Sequence, residues 1–188
     1  MFQSKNKSLF IAKLLLGFLL IYIPQSWAQE GEHKSEYHEF STWRIGFGFG
    51  QTYLPAGQHE SEEVSMLVLP TVGLDIHYWF NPRFGLALKN ELEIQYYVIE
   101  NEYYNELERE YPFIIVLVAM YKLKNGPSFY LGPGVELEKN KNFFILKGGM
   151  EYELELGKHW DVTPEIYYFS KEGKVGGFGA AVTFGKRF

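Results

Sequence analysis

Residues 84–98, Phe84-Gly-Leu-Ala-Leu-Lys-Asn-Glu-Leu-Glu-Ile-Gln-Tyr-Tyr-Val98, decide the fold. Phe84, Leu86, Leu88, Leu92, Ile94, Tyr96 and Val98 share one parity; Gly85, Ala87, Lys89, Glu91, Glu93 and Gln95 share the other. A period of two is the period of a β-strand, because successive side chains point to opposite faces. An apolar face opposite a dense charged one suits the wall of a membrane barrel, with lipid outside and a polar interior. Asn90 is the one polar residue on the apolar side.

The same alternation recurs on both sides of this stretch. Upstream, Trp43 to Tyr53 places Trp43, Ile45, Phe47 and Phe49 on one face, with Arg44, Gly46, Gly48 and Gln51 assigned to the other. Val68 to Tyr78 opposes Val68, Val72, Leu74, Ile76 and Tyr78 to Thr71, Gly73, Asp75 and His77, and Asn81-Pro82-Arg83 makes a tight turn. Downstream, Phe113 to Leu123 is apolar on both faces, and Lys122 favours turning Ile115, Leu117, Ala119 and Tyr121 outward. Phe129 to Glu138, Phe144 to Leu156, Trp160 to Tyr168 and Gly176 to Phe188 complete the set, with turns at Lys124–Pro127, Lys139–Lys141 and Gly157–His159. Eight strands result. The expected fold is therefore all-β, an eight-stranded antiparallel up-and-down transmembrane β-barrel over residues 41–188. An even number of strands closes such a barrel without edges.

The connections agree with a membrane orientation. Those at Asn81, Lys124 and Gly157 are short, whereas those between strands one and two and between strands three and four (Ile99 to Glu110) are long. Short periplasmic turns and long outer loops are the expected asymmetry, although the last two outer connections are also short. Aromatic residues gather near the strand ends: Tyr78, Trp79, Phe80, Phe84, Tyr121, Phe129 and Trp160 at one level, Tyr53, Tyr96, Tyr97 and Tyr168 at the other. Two such belts mark the interfaces of a membrane barrel.

The N-terminus predicts export. Lys5, Lys7 and Lys13 precede an apolar run from Leu14 to Ile23, Pro24 breaks it, and Ser26-Trp27-Ala28 offers small residues around a cleavage point. This is the layout of a signal peptide over residues 1–28, and the run falls short of the ~20 residues of a spanning helix. Residues 29–40 are polar and read as a periplasmic lead-in. Loss of the leader, with its three lysines and no acid, moves the formal net charge from −5 to −8. An acidic protein of this kind is a poor partner for nucleic acid. With no cysteine, stability has to come from packing and hydrogen bonding.

The C-terminus carries a resemblance. Phe188, with Phe184, Val182, Ala180 and Phe178 at alternating steps before it, resembles the assembly signal of bacterial outer-membrane barrels, and Lys186 departs from it. In layout and ending, the chain resembles the outer-membrane β-barrel domain family, a group of small eight-stranded porin-like barrels. The resemblance implies insertion into the outer membrane of a Gram-negative envelope by the barrel-assembly machinery, contact with outer-membrane lipid and lipopolysaccharide, and a monomer. A soluble lipocalin-like barrel could use the same alternation turned inside out. The dense charged face, the belts and the terminal Phe favour the membrane.

An eight-stranded barrel is filled by its own side chains. Parity directs Arg44, Lys89, Lys122, Lys147 and Arg187 inward, together with Asp75, Glu91, Glu93, Glu136, Glu151, Glu153, Asp161 and Glu165. His77, beside Asp75, is read as a further member of this lumen charge network. Buried charges must be paired or hydrated. The acid excess also admits a narrow channel or a transporter of small solutes or cations as the alternative function. The loops Pro55–Glu63 and Glu100–Glu110 are acidic and could meet divalent ions at a lipopolysaccharide surface. Some small outer-membrane barrels are lipid A deacylases or acyltransferases. His59 and Ser61, however, form only a His-x-Ser pair in a loop and do not match the strand-borne pair of the deacylases. No catalytic residue, metal site or cofactor is therefore assigned; His33 and His38 lack fixed partners nearby. The expected function is non-enzymatic, a structural or surface-interaction role in the cell envelope.

Overall fold

The computed structural model describes residues 42–55, 66–101, 104–124 and 126–188. The expected signal peptide, the lead-in, His33, His38 and the loop bearing His59 and Ser61 lie outside the described residues. The strands are β1 (Trp43–Pro55), β2 (Met66–Trp79), β3 (Phe84–Glu93), β4 (Tyr96–Asn101), β5 (Tyr104–Glu110) and β6 (Phe113–Lys122). They continue with β7 (Ser128–Leu137), β8 (Phe143–Glu151), β9 (Leu154–Glu155), β10 (Trp160–Lys171) and β11 (Val175–Arg187). Each wall strand pairs antiparallel with its neighbours, and β11 pairs back onto β1 from Arg44↔Arg187 to Tyr53↔Phe178. With β9 continuing the line of β8, the sheet is a closed barrel of eight staves, as the alternation predicts. Closure leaves none of the eight staves with a free edge.

The faces follow the period of two. On β6, Ile114, Val116, Val118 and Met120 are buried, while Phe113, Leu117 and Tyr121 stand on the outer wall. Lys122 thus fixed the parity of this strand correctly. Large apolar side chains line the exterior from Trp43 to Phe188. At the turn end Trp43 packs at a tilt on Tyr78 at 4.7 Å, Tyr78 and Phe80 meet in a T-shape at 5.2 Å, and Phe84 meets Tyr121 at 5.1 Å. At the other end Tyr53 stacks on Phe178. Lys186 Nζ sits 5.5 Å from the ring of Trp160 and 5.2 Å from that of Phe188, so its charge stays at the aromatic rim.

Two readings need correction, and the outward Asn90 gains its explanation. Gln51 is exposed on the outer wall, not inward: it shares the parity of Trp43, and its amide oxygen accepts the Tyr53 hydroxyl at 2.9 Å. Asn90 is also outward and donates to the carbonyl of Leu74 at 2.9 Å, which gives its side-chain N–H a partner on an apolar face. The segment Phe84–Val98 is not one strand. β3 stops at Glu93, and Tyr96–Asn101 pairs instead with Tyr104–Glu110 in a separate two-stranded sheet. The expected loop Ile99–Glu110 is therefore largely a hairpin.

Prolines explain the interruption. The carbonyls of Pro70 on β2 and of Pro112 before β6 accept the amides of Ile94 and Glu93. Neither proline can return an N–H, so β3 loses a partner on each side and its ladders end there. Tyr111, at φ 47°, turns the chain back into β6. Pro164 acts alike on the sixth stave: its carbonyl accepts the amide of Tyr152, and pairing with β10 lapses between Glu151 and β9. At Pro133 the β6–β7 ladder skips between Val116↔Gly134 and Ala119↔Leu131.

Beside that skip the two backbones press together. A Cβ on Gly132 would lie 2.0 Å from the carbonyl oxygen of Leu117 and 2.6 Å from Val118 Cα. Both are main-chain atoms that cannot swing aside. Gly132→Ala is expected to destabilise the barrel by about 1–3 kcal/mol, the usual cost of overpacking, read as a lower urea midpoint for loss of the compact form.

Candidate functional site: the charged lumen

The inward side chains meet across the axis in layers. At the turn end Arg44, on β1, donates to Asp161 on β10, with Nη2 at 2.6 Å from Oδ1, and to the Thr163 hydroxyl at 2.9 Å. Glycines make this possible: a Cβ at Gly185 would lie 2.4 Å from Arg44 Nε. Arg187 reaches Glu153 at 3.0 Å and Glu155 at 2.7 Å, and Lys122 also pairs with Glu153.

The next layer centres on Lys89. Its ammonium lies 2.9 Å from Glu165, 3.0 Å from Glu151 and 3.3 Å from Asp75, three carboxylates from three different strands. Lys89 is 1% exposed, so water cannot replace any of them. The Tyr130 hydroxyl donates to Glu165, and its ring lies 4.7 Å from the same ammonium. A Cβ on Gly149 would strike the Tyr130 hydroxyl at 2.5 Å, another inner glycine that clears room for a large neighbour. His77 lies between these two layers, with Nε2 3.3 Å from Arg44 Nη1 and Nδ1 3.8 Å from Glu151 Oε1.

Above them Lys147 pairs with Glu91 and covers the ring of Tyr167 at 3.6 Å, while the Tyr167 hydroxyl and Thr52 share a hydrogen bond of 2.9 Å. A cavity of about 10 Å³ remains here, between Thr52, Glu91, Lys147 and Tyr167. That is space for at most one water.

The layer beneath the hairpin was the least visible in the sequence. Lys171 lies 2.5 Å from Glu136 and 3.8 Å from Glu93, and Tyr97 donates to Glu93 at 2.5 Å. Arg109, read from the sequence as part of an acidic loop, is fully buried and pairs with Glu136 and with Glu138 at 3.1 Å. Its signal was the alternation of Leu107 and Arg109 with exposed Glu108 and Glu110. Lys171 continues the inward parity of Asp161, Thr163, Glu165 and Tyr167 three residues past the expected strand end. These two cations narrow the apparent acid excess of the lumen.

No family model matches this chain, and no curated protein matches it in sequence. Solved structures match its fold. Ail, the attachment invasion locus protein of Yersinia pestis, solved with the heparin analogue sucrose octasulfate, aligns with 80% of this chain and 100% of its own at 15% identity and TM-score 0.53. Neisserial surface protein A aligns with 80% of this chain and 100% of its own at 10% identity and TM-score 0.52. OprG of Pseudomonas aeruginosa aligns with 79% of this chain and 96% of its own at 12% identity and TM-score 0.52. The chain thus has the fold of small outer-membrane barrels.

Removing the hub of the network leaves its acids unmatched. Lys89→Met is expected to cost about 3–5 kcal/mol, because Asp75, Glu151 and Glu165 would then share no cation. Glu155→Gln breaks a pair that is half exposed and is expected to cost less than about 1 kcal/mol. Urea unfolding of the two variants side by side checks the contrast.

Proposed function

We propose that this protein is an outer-membrane barrel of a Gram-negative envelope, exported by its signal peptide, with a non-enzymatic structural or surface-interaction role. The carrying observation is the filled lumen. From Arg44 to Arg109 the inward charges are paired across the axis, and the cavity near Tyr167 holds no more than one water. A wide diffusion path has no room in such an interior. The exterior, with exposed leucines, phenylalanines and aromatic ends, suits lipid.

In this reading Phe178, Val182 and Phe184, exposed on one face of β11, and Phe188 just past its end form the signal read by the barrel-assembly machinery. The barrel is a monomer in contact with outer-membrane lipid and lipopolysaccharide. The β4–β5 hairpin stands apart from the barrel sheet, and Glu108 and Glu110 are exposed on it while Arg109 is spent inside. Ail was solved with a sulfated ligand. An acidic hairpin repels sulfates, so the surface partner expected here is cationic or bridged by divalent ions.

The test is electrical and chemical. Protein purified from expressing membranes into a planar bilayer is expected to give no unitary conductance steps, and lipid A from expressing cells is expected to keep its mass. Regular steps would establish a channel. A change in lipid A mass that His59→Ala abolishes would establish an enzyme.

A further inference from the structure

The cluster His77, Glu151 and Glu153 has a feature that lumen ion pairing leaves unexplained. Each glutamate gives one oxygen to the cations: Glu151 Oε2 to Lys89 at 3.0 Å, Glu153 Oε2 to Lys122 and to Arg187 at 3.0 Å. Their other oxygens, Glu151 Oε1 and Glu153 Oε1, have no hydrogen-bond partner, and neither has His77 Nδ1. One donor atom from each of the three residues lies within 4.8 Å of those of the others. The side chains are 0%, 1% and 4% exposed, so bulk water does not serve them. Three side chains, one imidazole and two carboxylates, each carrying an orphaned atom, thus come together in the barrel, with His77 Nδ1 and Glu151 Oε1 3.8 Å apart. Orphaned buried acceptors are costly. The local charge agrees, since among the described residues Lys89 is the one lysine or arginine within 4 Å of Asp75, Glu151 and Glu165.

We infer that His77, Glu151 and Glu153 bind a divalent first-row transition-metal ion, Zn²⁺ being the ion best suited, inside the turn end of the barrel. One imidazole and two carboxylates with a water in the fourth position make an ordinary donor set for Zn²⁺. Tetrahedral ligands at ~2.1 Å stand ~3.4 Å apart, so separations in the cluster have to shorten by up to about 1.4 Å. The chain permits this at Glu153, which lies in the gap between β8 and β9 that Pro164 opens. Binding through Nδ1 places the imidazole proton on Nε2. Nε2, which accepts from Arg44 Nη1 at 3.3 Å, then gives up that bond and donates instead toward Asp75 Oδ2, now 4.0 Å away, so that Asp75 becomes the carboxylate behind the histidine. Entry is from the turn end, past the half-buried side chains of Lys122 and Arg187. The inference is independent of the envelope role and runs against the sequence reading, in which His77 belonged only to the charge network.

The test uses untagged protein extracted from expressing membranes in detergent and stripped with EDTA. It is titrated with Co²⁺ followed by its visible absorption, and with Zn²⁺ followed by elemental analysis after dialysis. One ion per chain is expected, with a cobalt band that Zn²⁺ displaces. His77→Ala abolishes it, Glu153→Gln weakens it at least about tenfold, and Asp75→Asn weakens it by about 10–100-fold. His159→Ala, an exposed histidine on a turn, leaves it unchanged. Heat-modifiable migration shows which variants are folded. Should His77→Ala not assemble, the wild-type titration and Glu153→Gln decide the matter. No stoichiometric ion in the wild type, or binding that survives Glu153→Gln undiminished, overturns the site and leaves a trapped water as the occupant.

Discussion

One ammonium group, on Lys89, holds three strands' worth of negative charge at the centre of the barrel. Asp75, Glu151 and Glu165 come from β2, β8 and β10, and all lie within 3.3 Å of it. An eight-stranded barrel is just narrow enough for side chains from opposite walls to touch. That width makes a charged interior tolerable, because each acid can find a cation across the axis. Pairing of this kind does not guarantee net stability, since desolvation offsets much of the attraction. It does fix the register: a one-residue slip in any strand would send its charges outward. The apolar exterior and the charged interior are therefore two consequences of one alternation.

Backbone hydrogen bonds set the second constraint. In a bilayer the wall strands have no water to turn to, so departures from the ladder are confined to the barrel's ends or to sites with another acceptor. Pro70, Pro112 and Pro164 follow this rule, each keeping its carbonyl bonded while withholding a donor. The β4–β5 hairpin exists because β3 is released at Glu93, and the free geometry at Glu153 exists because β8 is released at Glu151.

Much of this was legible in the sequence. Alternation identified all eight staves, and parity alone sent Arg44, His77, Lys89 and Glu165 inward, where they are buried. The errors have physical causes. Gln51 was misassigned because its polarity was allowed to outweigh its parity; a hydroxyl partner lets an amide stand on the outer wall. The hairpin was missed because the prolines that terminate β3 lie on neighbouring strands, so the break is invisible within residues 84–98 themselves. Lys171 and Arg109 were missed with the strand extensions that carry them. The convergence of His77 with Glu151 and Glu153 depends on which residues of β2 and β8 share a level across the barrel, and no single-strand pattern encodes that.

The central claim is that the apolar parity faces lipid and the charged parity faces a closed interior. The chain has no cysteine, so single cysteines can be placed along β3 without background. Spin labels at Leu86→Cys, Leu88→Cys and Leu92→Cys, in protein reconstituted in bilayers, should collide readily with dissolved oxygen and poorly with a water-soluble nickel chelate. Labels at Ala87→Cys and Glu91→Cys should be shielded from both. Oxygen accessibility that alternates with a period of two and peaks at the leucines is the predicted result. High chelate accessibility at Leu86, Leu88 and Leu92 would place that face in water and contradict the membrane barrel.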